Sequence, residues 1–103
     1  MQYRSLASGI AAQAAAIEHL ICTDRALANS DRTMASLYTP LLAKFSGEQR
    51  ADLIVQQGQW VAERDQCATD ADPKHCLSQE FQARILTLRL MATEEPGSET
   101  SSL

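Results

Sequence analysis

Aromatic residues make up only 5% of this chain, and there is a single tryptophan. Strands favour aromatic and β-branched residues, whereas Ala and Leu, plentiful here, favour helices. No stretch approaches the ~20 consecutive apolar residues that a membrane-spanning helix needs. Basic residues are also few: Lys and Arg total 9 against 13 Asp and Glu, for a formal net charge of −4. A nucleic-acid binder needs a basic patch for the phosphates, so the charge balance argues against that class, and no nucleic-acid partner is expected. There is no Gly-rich phosphate loop and no Gly-x-Ser-x-Gly elbow, and nothing singles out an acid/base pair among the carboxylates. Neither an enzyme nor a cofactor is therefore expected. The three cysteines, Cys22, Cys67 and Cys76, include no Cys-x-x-Cys, which argues against a zinc ribbon or a thioredoxin-like site. His19 and His75 lie near Cys22 and Cys76 in sequence, but the spacing is that of no zinc finger. They read as surface histidines beside structural thiols, with no metal.

What is present is enough for one helical domain. The 103 residues are 45% hydrophobic, an ordinary value for a globular chain with one modest core. The stretch that organises them is Gln-Gln-Gly-Gln-Trp-Val-Ala-Glu-Arg-Asp-Gln-Cys, residues 56–67. On a helix, Gln57, Trp60, Arg64 and Cys67 share one face. Trp60 is expected to anchor the core and Cys67 to be half of a disulfide, with the polar groups satisfied around them.

In chain order, a first Ala-rich helix runs from about Ile10 to Ile21, with Ile10, Ala14, Ile17 and Ile21 on one side. Residues 1–9 are a lead-in, either the start of that helix or what is left after removal of a signal. Thr23 and Asp24 can cap a second helix reaching about Phe45. Its seam is Leu27, Asp31, Met34, Tyr38, Leu41 and Phe45, widened by Leu37 and Leu42. Pro40 predicts a kink over residues 36–40. Ser46 and Gln49 form a capping-box pattern for a third helix from Gly47 to Gln66, with Leu53, Ile54, Trp60 and Val61 buried. The short link makes helices two and three antiparallel neighbours. After an acidic loop over residues 68–72, Asp72-Pro73 opens a fourth helix that ends near Ala92, with Leu77, Phe81, Ile85, Leu88 and Met91 inward. From residue 93 the composition suits a disordered tail. The expected class is all-α: a compact, disulfide-stapled four-helix domain over residues 10–92 with a central antiparallel hairpin. Its core is built on Trp60, Tyr38, Phe81 and Leu27.

Two details concern the polar groups. Asp31 and Arg64 each put a charge in an otherwise apolar seam, which is costly unless they pair, so they are expected to form a buried network with Gln57. Asp24 and Glu18 are alternative acids for it. A hairpin turning at Ser46 brings Cys22 and Cys67 to the same end, which favours that disulfide; the rival is Cys67–Cys76 across the acidic loop.

The order and spacing of these features resemble the LprI-type lysozyme-inhibitor family. The matching residues are Glu18-x-x-Ile21-Cys22, Leu27 with Asp31, Leu37-Tyr38, Gln57-x-x-Trp60-x-x-x-Arg64-Asp65-x-Cys67, Cys76-Leu77, Phe81 and Arg84. The family usually has a further cysteine at a place that falls near Ile10 here. If that cysteine normally pairs with the one matched by Cys76, the resemblance implies a Cys22–Cys67 bridge and a free or intermolecular thiol at Cys76. It also implies an exported protein, periplasmic, secreted or anchored to the bacterial envelope, with a protein partner and lysozyme inhibition as its activity. The alternative is an envelope interaction, immunity or scaffold module without that activity. For a lysozyme partner, the segment from Asp65 to Asp72 between helices three and four, carrying Asp65, Asp70 and Asp72, is the candidate contact.

Overall fold

Asp24 sets the first internal boundary. Its backbone is extended (φ −108°, ψ 119°) and its carboxylate accepts a hydrogen bond from the Leu27 amide at 3.0 Å, which ends α1 (Gln2–Thr23) and starts α2 (Arg25–Lys44). The computed structural model describes residues 2–93, with side chains from residue 9 onward. α2 continues through Pro40 as one helix. It leaves through Phe45 and Ser46 in extended backbone, and Gly47 then takes φ +58°, the left-handed region that favours glycine. α3 (Gly47–Asp65) follows. The expected capping box does not form, since Ser46 makes no side-chain cap bond. Instead Arg50 Nε donates to the Leu42 carbonyl at 3.2 Å and ties the start of α3 to the end of α2.

The acidic loop is more ordered than its composition suggests. A 3-10 turn occupies Gln66–Thr69, and α4 (Pro73–Ala92) begins with Asp72 accepting from the His75 amide at 3.2 Å. Proline at the first helical position costs nothing there, because that amide has no helical acceptor.

The described residues are all-α, with no strand, as expected. The packing order differs from a central α2–α3 hairpin: α2 packs most extensively along α4, then against α1, and only lightly against α3. The reason lies in the stripes. α4 buries Leu77, Phe81 and Leu88, all fully, beside the charged Arg84, in the same core cluster as Leu27, Met34 and Leu41 of α2, whereas α3 buries only two apolar residues, Leu53 and Trp60, beside the charged Arg64. Apolar area decides which pair closes most tightly.

Trp60, Phe81 and Leu27 lie in the core, and Tyr38 is half-buried against it. Among the residues whose side chains are described, α1 docks through Ile17 and Ile21; Ile10, expected on the same buried side, is 67% exposed. Ile54 is exposed as well, and Ile85 and Met91 are half-buried. The expected tail lies outside the described residues beyond Thr93. Among those residues no helix is long and apolar enough to cross a membrane.

Candidate functional site

The disulfide joins Cys67 to Cys76, with Cα atoms 5.6 Å apart, and Cys22 is an exposed thiol. This corrects the preference for Cys22–Cys67 and the free thiol at Cys76. Ile17 and Ile21 fix the rotation of α1, and Cys22, one residue or about 100° further round, points away from the core. Cys67 ends up 1% exposed under the turn, where the start of α4 delivers Cys76. The bridge therefore staples the segment that carries Asp65, Asp70 and Asp72. Asp70 Oδ1 accepts from the Asp72 amide at 2.9 Å, and Asp72 Oδ1 caps α4, so both exposed aspartates spend one oxygen on the shape of the turn.

Asp65 is half-buried and belongs to Arg64: its Oδ1 lies 3.0 Å from Nε and 2.9 Å from Nη2. The Arg64 guanidinium also stands over the Trp60 ring, 5.9 Å from its centroid. Trp60 donates through Nε1 to the Glu80 carbonyl at 3.2 Å and packs tilted on Phe81 at 5.3 Å, so one indole links both sides of the α3–α4 contact.

The network expected from Asp31, Gln57 and Arg64 is divided differently. Asp31 and Arg64 line a common cleft of about 210 Å³ beside Glu18 and Cys22, with no hydrogen bond or ion pair between them. The adjacent Asp65 takes the guanidinium, because a carboxylate already on the same helix end needs no long-range alignment. Gln57 turns the other way, accepting from Arg84 Nε at 2.9 Å and donating to Met34 Sδ at 3.1 Å.

Arg84 was absent from the sequence-derived network. It is 7% exposed, and its Nη2 is buried with no hydrogen-bond partner. Burial lowers its pKa from the usual guanidinium range, opposed by nearby Tyr38 and Glu63. The signal was available: Arg84 occupies the helical stripe Leu77, Phe81, Arg84, Leu88, so it marks a charge in a seam just as Arg64 does. Arg84 and Trp60 line a furrow of about 310 Å³ between α3 and α4, walled by Gln59 and Glu63 on one side and Glu80 and Thr87 on the other.

The comparisons with known proteins agree with the resemblance read from the motifs. The family described as Lysozyme inhibitor LprI matches residues 9–95, which include the stapled turn and both arginines. The proteins named Lipoprotein LprI from Mycobacterium bovis and from Mycobacterium tuberculosis are each 32% identical over 84 residues. That alignment covers 82% of this chain but 40% of each relative, so the chain spans less than half of their length. No solved structure matches. With the family matched across nearly all of the described helices, this chain belongs to the LprI lysozyme-inhibitor family.

Proposed function

We propose that this domain is an exported envelope protein that binds a lysozyme and inhibits it. The observation that carries this reading is the family match over residues 9–95, which takes in the whole helical arrangement. The family is one of inhibitors rather than enzymes. Export is supported by the lipoprotein names of the relatives and by the Cys67–Cys76 disulfide, a bond that persists in oxidising compartments.

The contact we assign is the turn over residues 65–72. A glycoside hydrolase acts through carboxylates in a cleft, and an inhibitor must obstruct that cleft with a segment already held in shape. The staple supplies the shape, and exposed Asp70 and Asp72 supply a field that attracts a basic enzyme and speeds encounter. A second reading has its own support: because the chain corresponds to 40% of each relative, it can be an interaction module whose partner is not a lysozyme.

The test is lysozyme turnover with the unmodified protein and with Asp70→Asn/Asp72→Asn. Asparagine retains the turn and cap bonds, so only charge is lost. Inhibition should weaken roughly tenfold at low ionic strength and less at moderate salt. Equal inhibition by both proteins at both salts would move the contact elsewhere, and no inhibition by the unmodified protein would favour the interaction module.

A further inference from the structure

The ends of α2 and α4 leave a groove beside which the chain itself continues. The two helices run parallel: Lys74 Nζ meets Asp24 Oδ2 at their starts, and Leu41, Lys44 and Ala92 line a common groove of about 260 Å³ at their ends. Leu41 is buried and Leu37 half-buried in it, while Ser36, Pro40 and Lys44 are exposed along it. Pro40 adds a polar demand. Proline has no amide hydrogen, so the Ser36 carbonyl, four residues earlier in α2, lacks its helical donor. Lys44 adds a cation in the last turn of the same helix.

The residues that follow α4 match this groove in charge, reach and chemistry. Thr93 closes the helix, its amide and its hydroxyl both donating to the Leu90 carbonyl, at 3.2 and 2.7 Å. The chain therefore leaves α4 next to Ala92, on the groove's edge. The next four residues are Glu94, Glu95, Pro96 and Gly97. Two parallel helices place their negative ends here, so two glutamates at this point need a cation, and Lys44 supplies one. The groove runs along α2 from Lys44 back to Ser36, about 12 Å of helix, and four extended residues span about 13 Å. Composition alone favours a disordered tail because these residues bury little area. A segment tethered at the edge of its site has an effective concentration in the millimolar range, however, and weak contacts suffice to hold it.

We infer that residues 94–97 fold back as a strap over the α2–α4 groove. Glu94 and Glu95 meet Lys44, the Pro96 ring covers Leu37 and Pro40, and the Gly97 amide donates to the Ser36 carbonyl. The strap closes this end of the α2–α4 seam and keeps the apolar groove from other molecules. It is independent of the lysozyme reading, since the stapled turn lies at the opposite end of the same helix pair.

The test is solution NMR of the full chain. Backbone order parameters at Glu95 and Gly97 should exceed about 0.6, the level below which backbone is flexible, and Pro96 ring protons should show nuclear Overhauser contacts to Leu37 and Pro40. Lys44→Gln and Glu94→Gln/Glu95→Gln should each bring both order parameters below about 0.6. Arg89→Gln removes an exposed cation of α4 that does not line the groove, and should leave them unchanged. Pro40→Ala gives the Ser36 carbonyl its helical donor back, and should loosen Gly97 more than Glu95. Order parameters below about 0.6 from Glu94 onward in the parent chain, or absence of the Pro96 contacts, would overturn the strap. So would Arg89→Gln loosening residues 95–97 as much as Lys44→Gln. Ser36 and Leu41 resonances that move with protein concentration would assign the groove to a second copy instead, and would equally overturn it.

Discussion

The α3–α4 contact has two regions, each built on a buried arginine, and they are finished to different degrees. Next to the stapled turn, Arg64 has a carboxylate on the neighbouring residue and an aromatic face beneath it. Further along the helices, Arg84 has one amide oxygen on Nε and nothing on Nη2. Both arginines interrupt an apolar stripe, and both are about equally buried. What separates them is the supply of acceptors. A guanidinium has five N–H donors and no acceptor, so a carboxylate can satisfy it where a single amide oxygen cannot. In the first region a carboxylate meets the guanidinium, and in the second one guanidinium donor has no acceptor among the described residues.

The largest effect expected is on what the two regions share. Trp60 lies against Arg64, lines the furrow with Arg84, packs on Phe81 and donates to the Glu80 carbonyl. Trp60→Ala removes a side chain 6% exposed, and we expect it to cost about 3–5 kcal/mol in urea unfolding. A loss below about 1 kcal/mol would mean that the regions stand without a common anchor.

The arginines themselves give the sharper test. Arg64→Met leaves the half-buried Asp65 carboxylate without its cation, and we expect a loss of about 1–2 kcal/mol, less than for a fully buried pair because Asp65 keeps some water. Arg84→Met leaves Gln57 Oε1 unpaired but also removes an unsatisfied buried donor, and apolar contacts replace a desolvated charge. Its net effect should lie within about 1 kcal/mol of zero. Equal losses for the two variants would erase the distinction drawn between the regions.

These differences also separate what was legible in the sequence from what was not. The seam Leu27, Met34, Leu41, Phe45 was readable because helical spacing is local, and so were the aspartates that cap α2 and α4. The choice of α4 over α3 as the main partner of α2 depends on which stripe buries more apolar area once all the helices compete, and no window of sequence contains that comparison. The disulfide turned on the rotation of α1: Ile21 faces inward, so Cys22 cannot. For the polar groups, a charge in a seam correctly marked Arg64 as buried, but its partner was sought across helices when the adjacent residue sufficed. Arg84 carried the same mark, and the family motif already contained it. Its importance shows only when its donors are matched with acceptors in three dimensions.

The smallest effect expected concerns the exposed pair that links the starts of α2 and α4, and it marks the other end of the scale from Arg64. Lys74 Nζ lies 3.4 Å from Asp24 Oδ2, with the lysine side chain 61% exposed. The Asp24 pKa is held below the ordinary aspartate value first by the bond from the Leu27 amide; desolvation opposes this, and Lys74 adds to the lowering. A carboxyl group with a lowered folded-state pKa stabilises the fold above its unfolded pKa, about 3.9, and that contribution is lost as pH falls through the folded value. Asp24→Asn keeps an N-cap acceptor but has no proton to gain. Its stability at neutral pH should therefore drop only slightly, and its decline below about pH 4 should be shallower than that of the parent. Lys74→Ala removes a minor contributor and should leave most of the acid decline in place. Added salt should erase most of the Lys74→Ala effect, since exposed charges are screened, while the loss in Arg64→Met should persist because its carboxylate is half-buried. Unfolding measured across pH and salt decides the matter: an acid limb identical in Asp24→Asn and the parent would show that this carboxylate is not linked to folding, and equal salt sensitivity of Lys74→Ala and Arg64→Met would show that burial does not distinguish the two ion pairs.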